Sequence, residues 1–178
     1  MEPYIALVAS AQISIAIAGF AGVVAAFRNE SVHNWGVVER FWLRLQLLNS
    51  ILPLAFSLTG LLSMAVAPVS STTWRYCSGL VAVCLVPYAA MILKNLVRFA
   101  PGQLRAAGGR KLISYTLFVL LTAVCILQTW NAAMFGFFWP FFGAIVALLL
   151  GAMYQFVRLV LTPQQPDAQP GTATEEEN

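Results

Sequence analysis

The sequence predicts an all-α, polytopic integral membrane protein with five transmembrane helices. Composition, the spacing of apolar stretches and the placement of cations predict it. Of the 178 residues, 60% are hydrophobic and only 10% charged, whereas a soluble domain carries about a quarter charged residues. The mean hydropathy is +0.77. A soluble chain of this size leaves too much surface outside to hide so many apolar side chains, so the expected solvent is lipid. A helix needs about 20 apolar residues to cross a bilayer, and stretches of that kind fall at 4–27, 41–67, 77–97, 112–130 and 137–161.

The first stretch has Glu2 as its only early charge. It lacks the basic start of a signal peptide, and its apolar run is too long for one, so it is expected to stay as a span. The fourth and fifth stretches need a turn between them, because a single helix over 112–161 would be about 75 Å long. Asn131, Gly136 and Pro140 supply the breakers. Residues 1–161 are therefore read as one transmembrane domain. Residues 162–178, TPQQPDAQPGTATEEEN, have the composition of a disordered tail.

Five spans sort the ten Lys and Arg residues unevenly. Arg28, Arg40, Arg44, Lys94, Arg98, Arg105, Arg110, Lys111 and Arg158 fall on one side and Arg75 alone on the other. The positive-inside rule then puts the N-terminus outside and the C-terminus in the cytoplasm. The pI near 9.0 thus reflects topology, and no nucleic-acid partner is expected. Lys94, Arg98, Arg105, Arg110 and Lys111 gather at the cytoplasmic headgroup level, where each cation is worth about 1 kcal/mol against an anionic surface. Anionic lipid headgroups are the expected partner there. The short loops and small size suggest a bacterial inner membrane.

Several helix faces are legible. Span one carries Ala6, Ser10, Ser14, Ala18, Gly22 and Ala26, each four residues apart, and span five repeats the device with Gly143, Ala147 and Gly151. Small residues let membrane helices approach closely, so both stripes are read as packing faces, within the chain or between copies of it. Span two contains RLQLLNSILP, residues 44–53, polar in an otherwise apolar run. Arg44 is explained by depth, because its stem can reach the headgroups. Gln46, Asn49, Ser50, Pro53, Ser57 and Gly60 instead share one helix face, and lipid cannot satisfy their polar groups. Smaller polar faces occur at Ser114, Thr122, Cys125 and Thr129, and at Pro87, Lys94 and Arg98 beside Tyr88. The tryptophans near the span ends read as an interfacial aromatic belt.

The chemistry of a catalyst is missing. Every Asp and Glu lies outside the spans, the single His33 sits in a loop, and Cys77, Cys84 and Cys125 have no metal-ligand spacing. No enzyme, cofactor or metal is expected. The expectation is a homo-oligomeric channel or small transporter, its path lined by the span-two face with Lys94 and Arg98 at the mouth. Such a path would prefer anions or small neutral solutes, since no carboxylate ring is present. The alternative is a non-catalytic structural or accessory subunit whose polar and small-residue faces serve packing and assembly.

Overall fold

The structure is a computed structural model that describes residues 2–27, 37–66, 70–98 and 111–161, the side chains at 38, 39, 111–114 and 159 excepted. The described residues form α1 (Pro3–Phe27), α2 (Val37–Val66), α3 (Ser71–Arg98), α4 (Lys111–Trp130), a π-helical turn (Asn131–Phe135) and α5 (Phe138–Leu161). The five α-helices supply five segments long and apolar enough to cross a membrane. The disordered tail expected at 162–178 lies outside the described residues, as do Arg28, Arg105 and Arg110.

Local chemistry sets the helix ends. Pro3 opens α1, where its missing N–H costs no hydrogen bond. Ser70 caps α3, its Oγ accepting from the Thr73 N–H at 3.3 Å. This cap starts α3 well ahead of the apolar run at 77 and carries Thr73, Trp74 and Arg75 onto the helix. Pro53 and Pro87 lie inside α2 and α3. In lipid such breaks survive because neighbouring groups satisfy what the prolines free.

Contacts between helix ends show that successive helices alternate in direction. Gly60, late in α2, lies against Leu7 near the start of α1 and Phe141 near the start of α5. Trp74 at the start of α3 packs on Phe138 and Phe141, with ring centroids 4.8 and 5.7 Å away. Asn131, just past α4, bonds to Ser78 of α3. One end of the bundle therefore holds Glu2, Arg75 and the π-helical turn. The opposite end holds Arg40, Arg44, Lys94, Arg98 and Arg158.

The helix α5 is the hub. It packs against all four others, with the α1–α2 pair on one side and the α3–α4 pair on the other. The core follows from that plan, running through Leu7, Phe56, Val81, Leu85, Phe141 and Ile145. Two expectations meet differences here. Trp74, read as part of the aromatic belt, is only 5% exposed, because the long α3 draws it inward against the two phenylalanines. Trp130 and Trp139 are exposed, as belt residues are. The span-one stripe also divides. Ala6, Ser10 and Ser14 are buried, whereas Gly22 and Ala26 are exposed. A four-residue repeat drifts about 40° per step on a helix of 3.6 residues per turn. The stripe thus swings off the contact, and Ala21 takes the buried place.

Candidate functional site

The polar face of α2 enters the bundle. Gln46, Asn49, Ser50, Pro53, Ser57 and Gly60 are all buried. One of its polar groups is met locally, since Ser50 Oγ donates to the Gln46 carbonyl at 2.9 Å. The same back-bond satisfies Ser10, Ser14, Thr122 and Thr129 on other helices. These hydroxyls spend their protons on their own helices.

Asn49 is different. Its Nδ2 donates to Oε1 of Gln155 on α5 at 3.1 Å, and its Oδ1 accepts from the Tyr88 hydroxyl on α3 at 2.7 Å. One amide thus ties three helices, and all three side chains are buried. Gly151, one turn before Gln155, makes room for it: a Cβ there would stand 3.3 Å from Asn49 Nδ2. The triad borders a partly open cavity of about 70 Å³ lined by Trp42, Leu121 and Ala147 among others. That volume suits about two water molecules and is too small for a drug-sized ligand. At its end of the bundle, the Arg158 guanidinium lies 4.1 Å from the Trp42 ring centroid, a cation–π contact.

Two groups on the same face behave otherwise. Both amide atoms of Gln46 and the Ser57 Oγ are buried without a hydrogen-bond partner among the described residues. Lys94 and Arg98, expected at the mouth of a path, are exposed and do not border the Asn49 cavity. Lys111 begins α4. Of the span-five stripe, Gly143 is exposed with open space around it, Ala147 borders the cavity, and Gly151 faces Asn49.

A second polar cluster occupies the opposite end. Asn131 Nδ2 donates to Ser78 Oγ at 2.7 Å and to the Phe137 carbonyl at 2.9 Å, while its Oδ1 accepts from the Phe137 N–H at 3.0 Å. Gln128 Nε2 donates to the Pro140 carbonyl at 2.5 Å. Arg75 donates to the carbonyls of Ala132 and Ala133. Gly136 adopts a φ of +71° and donates its N–H to the Asn131 carbonyl at 2.9 Å, closing the turn.

Sequence reasoning singled out neither Gln155 nor Gln128, and took Asn131 only as a breaker. A signal for Gln155 was present, because the stripe Gly143, Ala147, Gly151 reaches it in one further step of four. Among the described residues, no three His, Cys, Asp or Glu side chains gather as metal ligands do. No protein-family model, curated protein or solved structure matches the chain.

Proposed function

We propose that this chain is a non-catalytic, multi-pass subunit of a bacterial inner membrane, structural or accessory in role, with its N-terminus outside and its C-terminus in the cytoplasm. The observation that carries this reading is the Asn49 amide, bonded on one side to Gln155 and on the other to Tyr88. A side chain that lines a path must offer its polar atoms to passing solute. Those of Asn49 are engaged in joining helices. Ser50 is likewise satisfied within its own helix, and the adjoining cavity of about 70 Å³ is far smaller than a conduit. In lipid, interhelical polar contacts and close-packed small residues hold helices together, which is the work this face is suited to. Faces left open around Gly22 and Gly143 give such a subunit room to meet a further copy or a membrane partner.

A second reading keeps one support. Gln46 and Ser57 are buried with no partner among the described residues, as expected of a wet channel or transporter interior, since lipid-embedded polar groups need satisfaction. One experiment separates the two. Purified protein reconstituted in liposomes should show no ion conductance or solute uptake, while Asn49→Leu should melt at lower temperature. Flux that Asn49→Leu reduces without loss of stability would establish the channel reading instead.

A further inference from the structure

A groove of about 570 Å³ runs between the start of α2 and the end of α3, on the end of the bundle where the cations collect. It exists because α2 and α3 touch only sparsely, α2 packing chiefly on α1 and α5 and α3 chiefly on α4. Its lining is graded along the helices. Arg40 and Arg44 stand one helical turn apart on α2, about 6 Å along the axis, and both are exposed. Asn95 faces them from the end of α3, its amide donating to the Met91 carbonyl at 2.7 Å. Deeper along both helices the lining turns apolar, with Leu47, Leu48 and Met91. None of the described residues that line the groove is acidic.

We propose that this groove binds one anionic phospholipid, with Arg40 and Arg44 holding the phosphate and the Leu47–Met91 section receiving an acyl chain. Two long arginine side chains rooted one turn apart on the same groove can converge on a single phosphate, and arginine is the residue best suited to fork onto phosphate. Basic pockets between helices at a charged membrane face are where anionic headgroups bind. The apolar depth selects a lipid, because a free phosphate has no use for it. The site differs from the general attraction of Lys94 and Arg98 to the headgroup layer, since neither residue lines the groove. It needs only that the helices span a bilayer, and is independent of whether the chain conducts.

The test is native mass spectrometry of the full chain in mild detergent, titrated with phosphatidylglycerol, phosphatidylcholine or inorganic phosphate. A phosphatidylglycerol adduct should form in preference to phosphatidylcholine and resist millimolar inorganic phosphate. Arg40→Gln with Arg44→Gln should weaken it about thirtyfold, the product of two surface cations. Lys94→Gln with Arg98→Gln should change it less than about threefold. Leu47→Trp, which fills the apolar section and keeps both arginines, should also weaken it and covers the case in which the double arginine variant fails to fold. Equal loss from both cation pairs would overturn the proposal in favour of diffuse attraction. Equal binding of phosphatidylcholine, competition by inorganic phosphate, or indifference to Leu47→Trp would overturn it as well.

Discussion

Asn49 and Gln155 lie 106 positions apart in sequence and share a buried hydrogen bond of 3.1 Å between α2 and α5. The bond joins the α1–α2 pair to the central helix, at the level where Tyr88 brings in α3. It is one point at which the two halves of the bundle are fastened by polar chemistry rather than by shape alone; the Ser63–Cys77 contact between α2 and α3, at 3.5 Å, is another.

This fastening should be measurable as coupling. Asn49→Leu removes both of the amide's bonds, and interhelical contacts in membranes average about 0.6 kcal/mol each. The expected loss is about 1 kcal/mol, more if the Tyr88 hydroxyl and Gln155 are left unpaired. Gln155→Leu should cost somewhat less. The double variant should lose less than the sum, because removing both partners leaves fewer orphaned groups. Thermal or denaturant unfolding of all four proteins in one detergent checks this, and additivity within about 0.4 kcal/mol would remove the bond from the account.

Small residues in α1 and α2 should not tolerate enlargement alike. A Cβ on Gly60 would stand 2.8 Å from Leu7 Cδ1 and 3.1 Å from Phe141 Cε1, whereas one on Gly22 meets nothing within 4 Å. Gly60→Ala should therefore destabilise the isolated chain by about 1–3 kcal/mol, the usual cost of overpacking. Gly22→Leu should leave its stability unchanged and act only on assembly. Size-exclusion with light scattering reads the second effect. A monomeric parent would end the intersubunit role of that part of the stripe.

The turn between α4 and α5 should depend on Arg75 and Gly136. At a φ of +71°, Gly136 lies where L side chains are strained, and a Cβ there would strike the Ser71 carbonyl and the Arg75 side chain. Gly136→Ala should lower stability by more than about 2 kcal/mol. Arg75→Gln should be milder, freeing the Ala132 and Ala133 carbonyls and raising amide hydrogen exchange in 131–137 without unfolding the bundle. Unchanged exchange there would show that the turn holds without Arg75.

The five helices were legible because lipid imposes a simple rule, about 20 apolar residues per crossing, although the Ser70 cap starts α3 six residues before the apolar run at 77. The burial of the α2 face was legible too, because its polar groups share a helix side. Partners were not. A hydroxyl bonded to its own helix, as in Ser50, and an amide reaching another helix, as in Asn49, look alike in sequence. Gln128 and Asn131 were missed for a related reason. They lie where a helix winds into a π turn, which Asn131 closes on Phe137 and the left-handed Gly136 ends. Trp74 shows the converse. Position near a span end made it a belt residue, while packing against Phe138 and Phe141 made it core.

The last prediction concerns which end faces the cytoplasm. Alternating helix directions place Thr72 at the Arg75 end, and α3 carries the chain from there to Lys94 and Arg98. Of the ten cations in the sequence, nine fall on the Lys94 side if the loops at 28–36 and 99–110 do not cross the membrane. Moving basic loops outward opposes the orientation rule, so the Thr72 end should be external. In a variant lacking Cys77, Cys84 and Cys125, Thr72→Cys should react with a membrane-impermeant maleimide added to intact cells. Gly108→Cys should react only after permeabilisation. Thr72 is exposed at the start of its helix, and labelling that appears only after permeabilisation reports orientation and not burial. The reverse pattern would invert the topology and place the Arg40–Arg44 groove on the outer face. Labelling of both positions from outside would mean that α3 does not cross.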